Sequence, residues 1–285
     1  MRLGRPRFLA AGTALLSAVL ALVAAGPAGA ATAPVPPSQD PFYAYGGSTP
    51  LSQIAPGTVL KERGVSLVIE GLTVPVSTEQ VLYRTTGEQG QPTVTVTTII
   101  KPLLSLTGTK IVAYQMAYDA LGSECDPSYT LQGGNTSDST GQEEAAAIVA
   151  YVVAGFTVTV PDYEGEALDW GAGQESGYDT LDAIRATESY LGVPASTKAG
   201  IVGYSGGAIA TEWASELAPS YAPSLNLVGA ASGGVPVDFA HNLTYINGDQ
   251  DWAGVIPAVL LSLGHAFGID ISQYLSPYGE QVTSQ

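Results

Sequence analysis

Histidine, cysteine and positive charge are all scarce in this chain of 285 residues: two histidines, one cysteine, and ten lysines plus arginines against 26 aspartates plus glutamates. With His241 and His265 the only imidazoles, Cys125 the only thiol, and no HExxH or CxxC spacing, a zinc site has almost nothing to be built from. The formal net charge of −16 repels phosphate backbones and argues against nucleic acid as a partner, although an acidic surface does not by itself identify a substrate. Charged residues make up 13 % of the chain and hydrophobic ones 45 %, which suits one large core; a single domain with insertions is expected.

What positive charge there is gathers at the start. Arg2, Arg5 and Arg7 precede an apolar stretch from Phe8 to Ala25, and Ala28-Gly29-Ala30 offers a small-residue cleavage site, so residues 1–30 read as a secretory signal peptide cleaved near Ala30. A membrane anchor is the alternative, but the apolar run is short for a span and ends in Gly-Pro and the cleavage pattern. The exported chain would carry 7 basic against 26 acidic residues, near −19. In such a chain an odd cysteine implies a free thiol, an intermolecular bridge or a missing partner. Residues 31–41 are rich in proline and small residues and read as a flexible leader, with structure expected from about Phe42.

Short β-rich runs follow at Val65 to Ile69, Val81 to Thr85 and the alternating Thr93 to Ile100, then an apolar strand from Lys110 to Gln115 that leads into Tyr118-Asp119. Gly122 to Gly141, rich in Ser, Thr, Gly, Asn and Asp, is expected to be an irregular loop. Beyond it helix and strand alternate: helix at Glu143 to Ala154, strand at Phe156 to Val160, helix at Tyr178 to Leu191, strand at Ala199 to Val202, strand at Asn226 to Ala231. That rhythm predicts an α/β fold: a mostly parallel sheet with helices on both faces and an antiparallel N-terminal edge. The final portion departs from it; Trp252 to Phe267 is an apolar, helix-like stretch suited to a cap or a core.

Chemistry concentrates at Gly203-Tyr204-Ser205-Gly206-Gly207, between an apolar strand and a helix-like run from Ala208 to Leu217. This is the strand–turn–helix context of a nucleophile elbow, in which small neighbours let the backbones close around an exposed serine hydroxyl. Ser205 is therefore the candidate nucleophile, against the alternative of a tight structural turn. The backbone N–H of Gly206, at the positive end of the following helix, is a candidate oxyanion donor. Asp119 lies where a second donor is expected; it would donate through a protonated carboxyl or through its own N–H, unless it only caps the loop. Asp162 and Glu164 can be read as paired acid/base carboxylates, but a hydrogen-bonded turn that supports the nucleophile loop is the preferred reading.

A serine nucleophile needs a base, normally an imidazole oriented by a carboxylate. His241 follows Asp238 in a loop and His265 sits in the apolar helical run; each reads more readily as a cap or core residue than as a base.

Asp40-Pro41-Phe42-Tyr43, Tyr83-Arg84-Thr85-Thr86, Tyr114-Gln115 with Tyr118-Asp119, Cys125-Asp126-Pro127-Ser128-Tyr129, Asp162-Tyr163-Glu164-Gly165, Leu181 to Ala186, the elbow, and Ser220 to Gly234 form a joint pattern. Together these segments resemble the secretory lipase family, exported α/β-hydrolases that cleave acylglycerols and other long-chain esters. The resemblance implies an α/β-hydrolase core over 42–234 and a cap-like segment over 235–285, Ser205 as nucleophile, and Gly206 and Asp119 as the oxyanion hole. It implies no cofactor, no obligate protein partner, and a lipid or ester substrate met at a lipid–water interface. It also implies that Cys125 pairs with a later cysteine in related enzymes, and that the catalytic Asp and His and the last strands of the sheet lie in a C-terminal part missing here.

A lipase-type ester hydrolase is thus the first expectation. A truncated, non-catalytic remnant with an unpaired apolar strand edge at Asn226 to Ala231 is the second. An esterase that recruits His241 with Asp238, and a peptidase of the same fold, complete the alternatives.

Overall fold

The alternation of threonine with valine and isoleucine after Pro92 builds one of the central strands of a sheet that has seven strands among the described residues. A computed structural model describes residues 33–105, 108–135 and 139–283 of the chain. The expected signal peptide lies outside the described residues. The strands are β1 (Val59–Ile69), β2 (Leu72–Thr86), β3 (Pro92–Lys101), β4 (Ile111–Gln115), β5 (Thr157–Pro161), β6 (Lys198–Tyr204) and β7 (Asn226–Gly233), and they stand in the order β1-β2-β3-β5-β4-β6-β7. The first three pair antiparallel, β3 meets β5 antiparallel, and β5, β4, β6 and β7 run parallel.

Helices cover both faces, and strand periodicity decides which side chain meets which. On one face Tyr114 of β4 and Val158 and Val160 of β5 pack against Ala145, Ile148, Val149 and Val152 of α2 (Ser139–Val153). On the other, Ile111 and Ala113 of β4 and Ala199 and Ile201 of β6 pack against Leu181 and Ile184 of α3 (Gly173–Leu191) and Ala214 and Ala218 of α4 (Gly206–Tyr221). After β4 the chain adds β5 on one side, then crosses back to lay β6 on the other, so the strand order reverses at β4. In sheets of this kind ligands bind outside the carboxyl ends of the strands at such a reversal.

Two expectations need correction. The segment from Gly122 to Gly141 is not wholly irregular: it holds a 3₁₀ turn at Ser123–Cys125, the short helix α1 (Pro127–Thr130) and the start of α2. Pro127 occupies the first turn of α1, where its fixed φ suits a helix and its missing N–H costs nothing. Nor is all of the expected leader free. Pro37–Gln39 forms a 3₁₀ turn with Pro37 buried, and Asp40 accepts the Phe42 N–H at 2.9 Å while pairing with Arg63, whose guanidinium lies 4.1 Å from the centre of the Phe42 ring.

The last portion forms α5 (Phe239–Ile246), α6 (Val255–Ala266) and α7 (Pro277–Thr283). Among the described residues β7 has no neighbour on its outer edge, and most of its residues are exposed, Val228 at 60 %. The unpaired, partly apolar parallel edge expected at Asn226 to Ala231 is present.

Candidate active site

Ser205 stands alone between β6 and α4 with φ 53° and ψ −118°, a left-handed conformation that a side-chain-bearing residue adopts only under constraint. The constraint comes from its glycine neighbours. A Cβ on Gly203 would collide with the carbonyl oxygen of Gly207, and one on Gly207 with that of Gln115 at the end of β4. The helix thus starts hard against two strands, and the serine projects from the corner.

The N–H of Ser205 is already used, donating to the Gly233 carbonyl of β7 at 2.9 Å. The Gly206 N–H, first in α4, has no acceptor within the helix and sits at its positive end. Asp119 faces it. A Cβ on Gly206 would fall on Asp119 Oδ1, so the carboxyl oxygen touches the Gly206 backbone from the loop after β4. Asp119 itself has φ 40°, and its Oδ1 is buried without a hydrogen-bond partner. Burial pushes its carboxyl up from 3.8 to about 6, against the opposing pull of a hydrogen bond from Trp170. Oδ1 is thus the carboxyl atom nearest the Gly206 backbone, on the side where a side chain at 206 would stand.

Two carboxyl side chains hold this loop by its backbone. Glu144 Oε2 of α2 accepts the Ala117 N–H at 2.8 Å, and Glu164 Oε2 accepts the Ala120 N–H at 3.3 Å, while the Glu164 N–H donates to the Tyr118 hydroxyl at 2.7 Å. Asp162 accepts the N–H of Ser128 at 2.8 Å and its hydroxyl at 2.5 Å. Asp162 and Glu164 are therefore committed to structural hydrogen bonds rather than standing as a free acid/base pair, but what they hold is α1 and the loop after β4, not the nucleophile loop as expected. Burial drives the carboxyl of Glu164 well above its usual range, and Asp162 is pushed up to about 7 by the same cause.

The histidines lie elsewhere. His241 has an exposed residue surface, and its backbone N–H donates to Asp238 Oδ1 at 2.9 Å, so Asp238 serves as the N-cap of α5. His265 Nδ1 lies 2.6 Å from Asp169 Oδ1, tying α6 to the loop after β5, with two-thirds of the imidazole side chain in solvent. Among the described residues no hydrogen bond joins Ser205 Oγ to either imidazole. Cys125 forms no disulfide, and its Sγ accepts a hydrogen bond from the Asn135 amide at 3.6 Å.

Reading the sequence missed Glu144, which looked like an ordinary polar residue at the start of a helix, and the buried acids Glu88, Asp179 and Glu175. Glu88 and Glu175 cap each other: each backbone N–H donates to the other's carboxyl, at 3.0 and 2.9 Å. The only signal available was spacing, since Glu175, Asp179 and Asp182 fall on one face of α3, and they are buried.

Comparison with known proteins points one way. A family described as "Secretory lipase" matches residues 132–276. Lipase A of Arthroderma benhamiae is 40 % identical over 247 residues, covering 82 % of this chain and 52 % of its own length. A protein of Mycobacterium tuberculosis named a "Probable inactive lipase" is 39 % identical over 261 residues, covering 88 % of this chain and 58 % of its own. The closed-state crystal structure of Candida antarctica lipase A superposes with a TM-score of 0.78 at 32 % identity, over 89 % of this chain and 60 % of that one. The fold is accordingly that of the α/β-hydrolases, and the chain spans about half the length of the curated relatives it matches.

Proposed function

We propose, from the premise that the chain belongs to the secretory lipase family, that it carries the nucleophile and oxyanion hole of an exported carboxylic ester hydrolase acting on acylglycerols and other long-chain esters. The observation that carries this reading is the contact at the elbow: a strained Ser205 with Asp119 Oδ1 set against the Gly206 backbone. Ser205 Oγ would attack the ester carbonyl carbon and lose its proton to a base that the described residues do not place beside it, with the oxyanion held by the Gly206 N–H and the protonated Asp119 carboxyl. As the carbonyl re-forms, the C–O bond to the alcohol breaks and the base's proton goes to the departing alkoxide; a water then gives a proton to the base and adds to the acyl carbon, and collapse expels Ser205 Oγ, which takes that proton back as the acid leaves. The segment 235–285 would cover the acyl chain as a cap.

A second reading, a non-catalytic remnant, is favoured by one specific observation: among the described residues Ser205 Oγ has no hydrogen bond to a base. The name of the mycobacterial relative agrees with it.

A fluorophosphonate probe separates the two. On the first reading the folded, signal-free chain is labelled at Ser205, Ser205→Ala is not labelled, and a short-chain p-nitrophenyl ester is turned over. Labelling without turnover gives the remnant; a folded protein with no label at Ser205 ends the nucleophile assignment. Asp119→Ala should slow labelling about 100-fold, the usual cost of one oxyanion donor, and an unchanged rate would remove Asp119 from the site.

A further inference from the structure

Asp119 occupies a backbone conformation that a loop does not keep unaided, and the two carboxyls that hold the loop come from different parts of the fold. Glu144 takes the Ala117 N–H from the helix α2, and Glu164 takes the Ala120 N–H from the turn after β5. The two bonds bracket Asp119, two residues before and one after. A third contact closes the frame, from the Glu164 N–H to the Tyr118 hydroxyl, whose ring meets that of Tyr163 edge-on with centroids 5.0 Å apart. The remaining oxygen of Glu164, Oε1, is buried without a partner, and the residue is completely inaccessible.

We infer that Glu144 and Glu164 are positioning residues that act as a clamp on the Ala117 to Ala120 loop and keep the Asp119 carboxyl buried against Gly206. This rests on Asp119 as an oxyanion donor, and it says how an aspartate is made fit for that task. Left to itself, a surface-loop carboxyl would swing to water, ionise and stop donating. The clamp needs acceptors for N–H groups, not negative charge. Glutamine, which keeps a carbonyl oxygen at the same reach, is therefore expected to replace either glutamate, and alanine is not.

The Asp119 titration tests this directly, whether or not the chain turns over substrate. Carboxyl ¹³C NMR, with the Asp119 resonance assigned by its loss in Asp119→Asn, should show an inflection near 6 in the parent protein. In Glu144→Ala and Glu164→Ala the inflection should fall by a unit or more toward the ordinary 3.8, as the carboxyl reaches solvent; Glu144→Gln and Glu164→Gln should leave it in place. Fluorophosphonate labelling should fall at least fivefold in the alanine variants with unchanged probe affinity, and recover in the glutamine ones. An Asp119 inflection unmoved in Glu144→Ala overturns the clamp; should Glu164→Ala not fold, the partly exposed Glu144 decides alone. The two proposals fail separately. If Asp119→Ala labels at the parent rate, the oxyanion reading is wrong; if Asp119→Ala is slow and the alanine variants at 144 and 164 titrate like the parent, only the clamp is wrong.

Discussion

Thermal unfolding measured from pH 4 to pH 8.5 should give its highest midpoint between pH 4 and 5, and a midpoint lower by about 6 °C or more at pH 8. The cause is a set of buried acids. Burial pushes Asp119 up to about 6, Asp162 up to about 7 and Glu175 up to about 8, in each case from an ordinary value near 4 in the unfolded chain. A carboxyl whose folded value is raised binds more protons folded than unfolded, so stability falls as pH climbs from the unfolded value through the folded one. Below about pH 4 both states are protonated and the effect is absent. The displacement at Asp119 alone corresponds to about 3 kcal/mol once the group is ionised. With about 2–4 °C per kcal/mol for a domain of this size, that gives the stated drop. Glu175→Gln, which keeps an acceptor for the Glu88 N–H, should flatten the upper part of the profile. A midpoint that rises steadily from pH 4 to pH 8 would contradict the burial of these acids. On the proposed mechanism the same window would govern the chemistry, because Asp119 would lose its donor proton as the fold loses stability.

The second large effect is steric. Gly207→Ala should destabilise the protein by about 3 kcal/mol or more, at the upper end of what overpacking costs, and should lower the midpoint by roughly 6–12 °C. The added methyl would meet the carbonyl oxygen of Gln115, a backbone atom of a buried strand that cannot rotate away as a side chain would. Relief requires α4 to lift from β4, which also carries Gly206 away from Asp119. Gly254→Ala, where nothing stands within 4 Å of the new carbon, is the matched control and should change the midpoint little. Equal stability of the two variants would mean that the elbow is more loosely packed than described.

Where the fold was legible, a local period carried it. The Thr93 to Ile100 alternation marks β3 to within a residue at each end, and the apolar run from Asn226 finds β7. The helix expected from Tyr178 in fact begins at Gly173. Its first turns hold two glycines where the helix needs to be thin: side chains at Gly173 and Gly177 would run into Trp213 and Leu217 of α4. That contact is tertiary and leaves no trace in the local pattern. The strand–turn–helix at Ser205 was legible because glycine spacing around a serine has few other uses, and so was the place of Asp119 in the loop after a strand beside it. The acids beneath were not. A charged residue on a helix reads as a solvent face, and only the packed structure turns Glu144, Glu175 and Asp179 inward.

The Ser205 N–H ends on the Gly233 carbonyl, so β7, the edge strand among the described residues, is also one of the anchors of the candidate nucleophile. Edge strands open most readily, since half their backbone groups have no partner to lose. In amide hydrogen exchange, protection at Ser205 should therefore track that of β7 and not that of the buried β4 beside it. The corner that holds Ser205 is as well ordered as its least guarded neighbour, and the fraying of β7 limits how long the strained backbone of Ser205 is kept.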